Sequence, residues 1–229
     1  MKRRRVDMPI PVKEKEKENI PSAKQRVYQG IIDWIIDGTL QAGEKLNEVQ
    51  LAEYFSVSRT PVHEALLLLA EQNMVDIYPS RGSFVKKMSV AEGDQLYEAL
   101  AAINSCIVRL ACRRWQEKDL AELEKINGEA ALALANEQYA AFLRLDQKFH
   151  TYLAKIAANM YLEQDYQQLH LISLRYEYLV VHENPERITS IQQHRAIIEA
   201  IRERDEARAV SLVEENFTGI YNEKLRKLL

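Results

Sequence analysis

Glycine and proline are scarce in this 229-residue chain, 7 and 6 respectively, roughly half their combined share in average usage. That scarcity, set against abundant Leu, Ala, Glu, Lys and Arg, favours helix. The length leaves room for one or two domains and excludes a single-core peptide scaffold. Cysteine occurs twice, at Cys106 and Cys112. On one helix, six residues apart, their Cα atoms stand roughly 9 Å from each other, too far for a disulfide. Both are expected as reduced thiols, which points to the cytosol. No stretch approaches the roughly 18–20 apolar residues of a membrane span, and Lys2-Arg3-Arg4-Arg5 is followed by proline and charge rather than by an apolar signal region. The expectation is a cytoplasmic, unexported protein with no membrane partner. No charge of one sign dominates. The net charge is −3, but residues 1–88 carry 14 Lys and Arg against 12 Asp and Glu, whereas 89–229 carry 17 against 22. For nucleic acid the charge of the contacting face decides, not this sum.

Residues 1–22, with the basic run and alternating Lys and Glu from Lys13 to Glu18, cannot bury apolar surface and are expected as a flexible tail. The basic run could touch DNA phosphates or stay solvated. From Ala23, Val27, Ile31, Ile32, Ile35 and Ile36 form a helical stripe ending at Gly38, which predicts a helix over about 23–37. Asn47 is a good N-cap for a short second helix running to Phe55. Ser56-Val57-Ser58-Arg59-Thr60-Pro61 breaks the chain, offers capping hydroxyls at Ser58 and Thr60, and places Pro61 where a first turn tolerates it. Val62, Ala65, Leu66 and Leu69 then form the buried face of a third helix. The pair reads as a helix-turn-helix. Val75-Asp76-Ile77-Tyr78 and Ser83-Phe84-Val85, joined by the turn Pro79-Ser80-Arg81-Gly82, predict a two-stranded wing.

In that arrangement the third helix enters a DNA major groove N-terminus first, with Ser58, Arg59, Thr60 and His63 on the exposed side. Arg59 suits a bidentate guanine contact, and Ser58 and Thr60 suit phosphates at the helix N-terminus. Arg81 and Gly82, at the wing tip, would reach the backbone or minor groove. Residues 38–85, through Gly43-Glu44-Lys45-Leu46-Asn47-Glu48, Phe55-Ser56-Val57-Ser58-Arg59-Thr60-Pro61-Val62-His63-Glu64-Ala65-Leu66 and Pro79-Ser80-Arg81-Gly82-Ser83-Phe84-Val85, resemble the winged-helix domain of GntR-family transcription regulators. His63 stands where that family more often has arginine.

Beyond Ser89, a candidate N-cap, Leu96, Leu100, Ile103, Ile107 and Leu110 mark a long amphipathic helix. Similar stripes follow to Ile220, about six helices with almost no strand signal. The fold class expected is mainly α: an N-terminal winged helix-turn-helix over 23–88, then an all-α helical bundle over 89–229. Four polar residues interrupt the apolar stripes. Asp146 and His150 share a face beside Phe142, Leu145 and Phe149; His194 lies on the stripe of Ile191 and Ile198; Asn216 lies on that of Ala209 and Leu212. Buried polar groups need partners. A divalent metal, Zn, Ni or Mn, would satisfy these, and ordinary core hydrogen bonds are the alternative.

Asp146-Gln147-Lys148-Phe149-His150, Ala158-Asn159 and the segment from His194 to Ala209 resemble the helical C-terminal effector-binding domain of the FadR-type (FCD) branch of the same family. The resemblance implies a metal site built from an aspartate and three histidines at the floor of a ligand pocket, and an organic-acid effector. Asn216 stands where the third histidine is expected. Leu100 and Asn104 stand where many relatives have Arg and Glu, which removes a permanently charged partner for a carboxylate. Arg144, Arg175 and Arg187 are candidate substitutes, and Tyr166, Tyr176 and Tyr178 candidate pocket residues. The resemblance implies a repressor that binds a palindromic DNA operator as a homodimer and answers a small-molecule effector. The other reading is a metal-dependent hydrolase or lyase working from Asp146, His150 and His194, for which no adjacent general base is evident.

Overall fold

The computed structural model of the chain describes residues 21–183 and 189–223. The expected tail, residues 1–20 of it, and Arg187 lie outside the described residues. The described elements are α1 (Ala23–Ile36), β1 (Lys45–Leu46), α2 (Glu48–Phe55), α3 (Arg59–Glu71), β2 (Val75–Tyr78), β3 (Gly82–Val85), α4 (Val90–Arg114), α5 (Glu117–Ala135), α6 (Tyr139–Ala157), α7 (Met160–Glu183), α8 (Ser190–Arg202) and α9 (Glu206–Glu223).

Capping chemistry sets the helix boundaries. Ser22 opens α1 in a reciprocal capping box with Gln25, and Gly38, at φ +77°, takes the chain out of it. The Asn47 carboxamide accepts from the N–H groups of Val49 and Gln50, which starts α2. Ser56 then adopts a left-handed conformation and closes the helix, so that α3 begins within three residues. Ser58 is the N-cap residue of α3, but its hydroxyl makes no capping hydrogen bond. The expected capping role of that hydroxyl is not realised, and Ser58 is exposed. Val27, Ile31, Leu51, Val62, Ala65, Leu66, Leu69 and Val85 pack α1, α2, α3 and the sheet into one apolar core.

The wing contains one strand more than expected. Lys45 and Leu46 pair antiparallel with Phe84 and Ser83, giving the strand order β1-β3-β2. Two residues, one exposed and one buried, carry no alternation for a sequence pattern to display. The third strand anchors the wing to the loop before α2, so Arg81 sits on a braced hairpin.

Ser89 caps α4 through the N–H of Glu92. In the helical bundle α4 packs against α6, α7, α8 and α9, while α5 packs against α6 and α8. Leu100, Ile107, Val108, Leu123, Phe149, Ile197, Ile201 and Val213 fill the common core. Toward the head, α7 makes the principal described contacts. Leu171 packs on the apolar cluster of the N-terminal domain. The Arg175 guanidinium donates to the Lys86 carbonyl, and the Tyr176 hydroxyl donates to the Ser89 carbonyl (3.4 Å). A cleft of about 690 Å³ separates α1 from α6 and α7, with Asp33, Asp37, Arg144 and Tyr178 among its walls.

Candidate functional site

Two sites take shape, one on the head and one inside the bundle. On the head, Ser58, Arg59, Thr60 and His63 are all exposed at the start of α3, and Val62 and Leu66 are buried on the opposite face. The side chains of Arg59 and His63 are 69 % and 54 % exposed, free enough to meet a ligand from solvent. Glu48, the first residue of α2, holds both. Its Oε2 accepts from Arg59 (3.3 Å) and its Oε1 faces His63 Nδ1 (3.1 Å). Hydrogen bonding to His63, then to Arg59, holds the Glu48 carboxyl below the usual range. Arg81 lies over the Tyr78 ring at 5.6 Å, and Gly82, at φ +99°, takes the positive dihedral that the turn into β3 requires. Sequence reasoning did not pair Glu48 with α3, because the contact spans eleven residues and is made by the turn between two helices.

Inside the bundle, α6 and α8 bring Asp146, His150 and His194 together, with one ligand atom of each within 4.8 Å of the others. His194 Nε2 lies 3.3 Å from His150 Nε2 and 3.6 Å from Asp146 Oδ1; His150 Nε2 is 4.0 Å from Asp146 Oδ2. Hydrogen bonding assigns the tautomer of His194. Asn127 on α5 donates its Nδ2 to the Ile191 carbonyl (3.0 Å), so its Oδ1 faces His194 Nδ1 (3.2 Å) and that nitrogen carries the proton. His194 Nε2 is therefore a lone pair aimed at the centre. The Phe149 ring stacks on His194 at 3.8 Å and fixes its plane. Asn127 was not foreseen, although a polar residue on the stripe of Leu120, Leu123 and Ile126 is the same signal that marked His194.

Burial dominates the electrostatics. Desolvation pushes the Asp146 carboxyl up to about 7, against a hydrogen bond from Ser190 that lowers it. It drives His194 down to about 3 and His150 well below its ordinary value, so both imidazoles are neutral. Asp146 Oδ1 and His150 Nδ1 have no hydrogen-bond partner among the described residues. Asn216 Nδ2 donates to Gln193 Oε1 (2.8 Å), which leaves its carbonyl oxygen turned toward the His150 ring. The candidate arginines are placed elsewhere. Arg175 is buried at the junction with the head, and Arg144 and Tyr178 line the cleft beside α1. Leu100 is fully buried, and Asn104 donates to the Leu100 carbonyl. Tyr166 and Tyr176 are buried within the bundle.

The model of the bacterial regulatory proteins, gntR family, matches residues 23–85, and that of the FCD domain matches residues 95–218. The chain belongs to the GntR family. It is 30 % identical over 182 residues to the HTH-type transcriptional repressor RspR of Escherichia coli K12, covering 79 % of each chain. It is also 30 % identical to the uncharacterized HTH-type transcriptional regulator YdfH of E. coli O6:H1, covering 81 % of each. Among solved structures, E. coli McbR/YncC matches with a TM-score of 0.75 at 20 % identity, over 89 % of this chain and 99 % of that one. This GntR-family chain is a DNA-binding transcriptional regulator, and its family and relatives regulate transcription rather than catalyse reactions. No described helix is long and apolar enough to cross a membrane.

Proposed function

We propose that this regulator is a cytoplasmic, ligand-responsive repressor that binds a palindromic operator as a homodimer, with Asp146, His150 and His194 holding a divalent metal in the helical domain. The cluster carries this reading. With the proton of His194 on Nδ1, a proton on His150 Nδ1 leaves two lone pairs facing each other at 3.3 Å, and a proton on His150 Nε2 strands Nδ1 instead. Asp146, His150 and His194 would hold a divalent cation that relieves the facing lone pairs, and two neutral imidazole nitrogens 3.3 Å apart beside a carboxylate form a donor set that fits such an ion. Imidazole and carboxylate suit Zn, Ni or Mn, and the Asn216 carbonyl is a weak fourth candidate. When bound there, such an ion would supply Lewis-acid character to the helical-domain site.

The remaining steps belong to side chains of this chain. Asn127 orients His194. Arg59 and His63, released from Glu48, meet the operator, with Ser58, Thr60, Arg81 and Gly82 on the phosphates and the adjacent groove. Two heads related by a two-fold axis sum contacts that one small head makes too few of. The route from interior to head is α7, which carries both Arg175, bonded to the Lys86 carbonyl, and Leu171, seated on the head. An effector that favours one placement of α7 over another shifts operator affinity by its differential affinity for the two. The repressor sign follows that of RspR, which is named as a repressor.

Metal analysis of the purified chain, with operator titrations before and after chelation, tests the reading. The expected result is a bound divalent ion, lost in His150→Ala and His194→Ala, and an effector response that disappears on chelation. A chain that takes up no divalent ion would refute the metal, and one whose operator affinity no small molecule changes would refute the ligand response.

A further inference from the structure

The bundle holds a second polar cluster that the metal reading leaves unused. His170, Ser173 and Glu177 are buried on neighbouring turns of α7. The Ser173 hydroxyl donates to Glu177 Oε1 (2.7 Å), and its oxygen lies 3.2 Å from His170 Nδ1. The Ser173 hydroxyl also reaches the His170 carbonyl (2.8 Å), so Ser173 engages only the Nδ1 side of the imidazole and one carboxyl oxygen, whichever tautomer His170 adopts. Neither His170 Nε2 nor Glu177 Oε2 has a hydrogen-bond partner among the described residues. The Tyr166 ring stacks on His170 at 5.2 Å and lies 6.4 Å from the His150 ring, so the cluster shares an interior with Asp146, His150 and His194.

Each buried, unpaired polar atom costs about 1–3 kcal/mol, and a sequence that needed only a core would place apolar groups here. The unpaired atoms also define what would satisfy them. Arg175 is the one buried cation among the described residues, and it is committed to the Lys86 carbonyl, so no permanent positive charge faces the interior to receive a carboxylate at this end. The two unpaired atoms, an imidazole nitrogen and a carboxyl oxygen seven residues apart on α7, can each give or take a hydrogen bond according to where the protons sit. An ammonium offers donors alone and a carboxylate acceptors alone, whereas a hydroxyl both gives and takes a hydrogen bond.

We propose that His170 Nε2 and Glu177 Oε2 bind hydroxyl groups of a small polyhydroxylated effector, whose other end reaches toward Asp146, His150 and His194. This rests on the effector reading above and names the chemistry of the ligand. The test is calorimetric titration of the full-length chain, in the presence of Zn²⁺, with linear polyols of three to six carbons, their aldonic acids and n-alkanoates of the same lengths. A hydroxylated probe is expected to bind in preference to the alkanoate of its length, and His170→Phe is expected to weaken it by about tenfold, the worth of one lost hydrogen bond. The same variant should raise the Tm, because a ring of similar shape replaces an unpaired buried nitrogen while Ser173 keeps Glu177. A polyol that binds as well as its aldonic acid assigns an uncharged ligand, and a tighter acid assigns a carboxylate at the far end; both support the α7 subsite. The proposal is overturned if no hydroxylated probe binds, if alkanoates bind at least as well, or if His170→Phe lowers the Tm and leaves probe affinity unchanged. Operator titration is read separately. A probe that binds at α7 without altering operator affinity supports the subsite and removes the ligand-responsive reading instead.

Discussion

At the scale of single residues, Glu48 bears on how the operator would be met under the proposed reading. It ties Arg59 and His63 to α2, so neither side chain explores the surface freely before DNA arrives. Arg59→Ala is expected to cost about 1–3 kcal/mol of operator affinity and to relax the preference at one position per half-site, which a panel of single-base operator variants would read. Equal weakening on every sequence would show a phosphate contact instead. Glu48→Gln should raise affinity for random DNA, by removing a negative charge beside the phosphates, and lower the ratio of specific to random binding. Deep in the bundle, Glu177 makes a pH statement. Its folded pKa is raised from 4.5 to about 8, so the folded state holds a proton that the unfolded chain has lost. The stability of the wild-type chain relative to Glu177→Gln is fully present below the carboxyl's ordinary value and is lost as pH rises through about 8. Denaturant midpoints of the two proteins from pH 5 to 9 would reveal this as Glu177→Gln overtaking the wild type at the alkaline end.

Single elements show why part of the architecture can be read from the chain and part cannot. A helix announces itself through its 3.6-residue stripe and its cap, and Asn47, Ser89 and Gly38 mark boundaries that the structure places within a residue or two. Replacing Asn47 with Ala removes the cap of α2 and should cost about 1 kcal/mol in a thermal melt, without changing which DNA sequence is preferred. β1 is different. It exists because β3 offers an edge, and two residues cannot show a period. The interior cluster divides in the same way. His150, His194 and Asn216 stand out as polar residues on apolar stripes, and all three are buried. His170 and Glu177 did not stand out, because α7 packs on both the bundle and the head and so shows no single clean stripe. Asn127 carries the signal but was outweighed by the apolar run around it. Its role predicts a measurable effect: Asn127→Ala releases the His194 tautomer and should weaken metal binding by about 10–100-fold.

For the whole molecule, one helix joins the two halves of the account. Within about two turns α7 carries His170 and Glu177 toward the bundle interior, Leu171 against the head, and Arg175 and Tyr176 onto the connection between β3 and α4. The sequence pattern shows a reading head and a helical bundle, yet this junction depends on which face of α7 meets which neighbour, and only the packed molecule fixes that. Arg175→Met retains much of the buried stem and removes the bond to Lys86. Its effect should fall on the coupling, leaving ligand affinity nearly intact while reducing the change in operator affinity that ligand produces. Both affinities can be titrated on the same preparation. The central claim is that the exposed start of α3 reads a two-fold symmetric DNA site. It is tested most directly by selecting genomic fragments with the full-length protein at moderate salt, in parallel with Arg59→Ala, and sequencing what is retained. The account predicts one short inverted repeat enriched by the wild type, with its preference lost at one position per half-site in the variant. Retention of fragments without a common inverted repeat, or the same enrichment from both proteins, would contradict it.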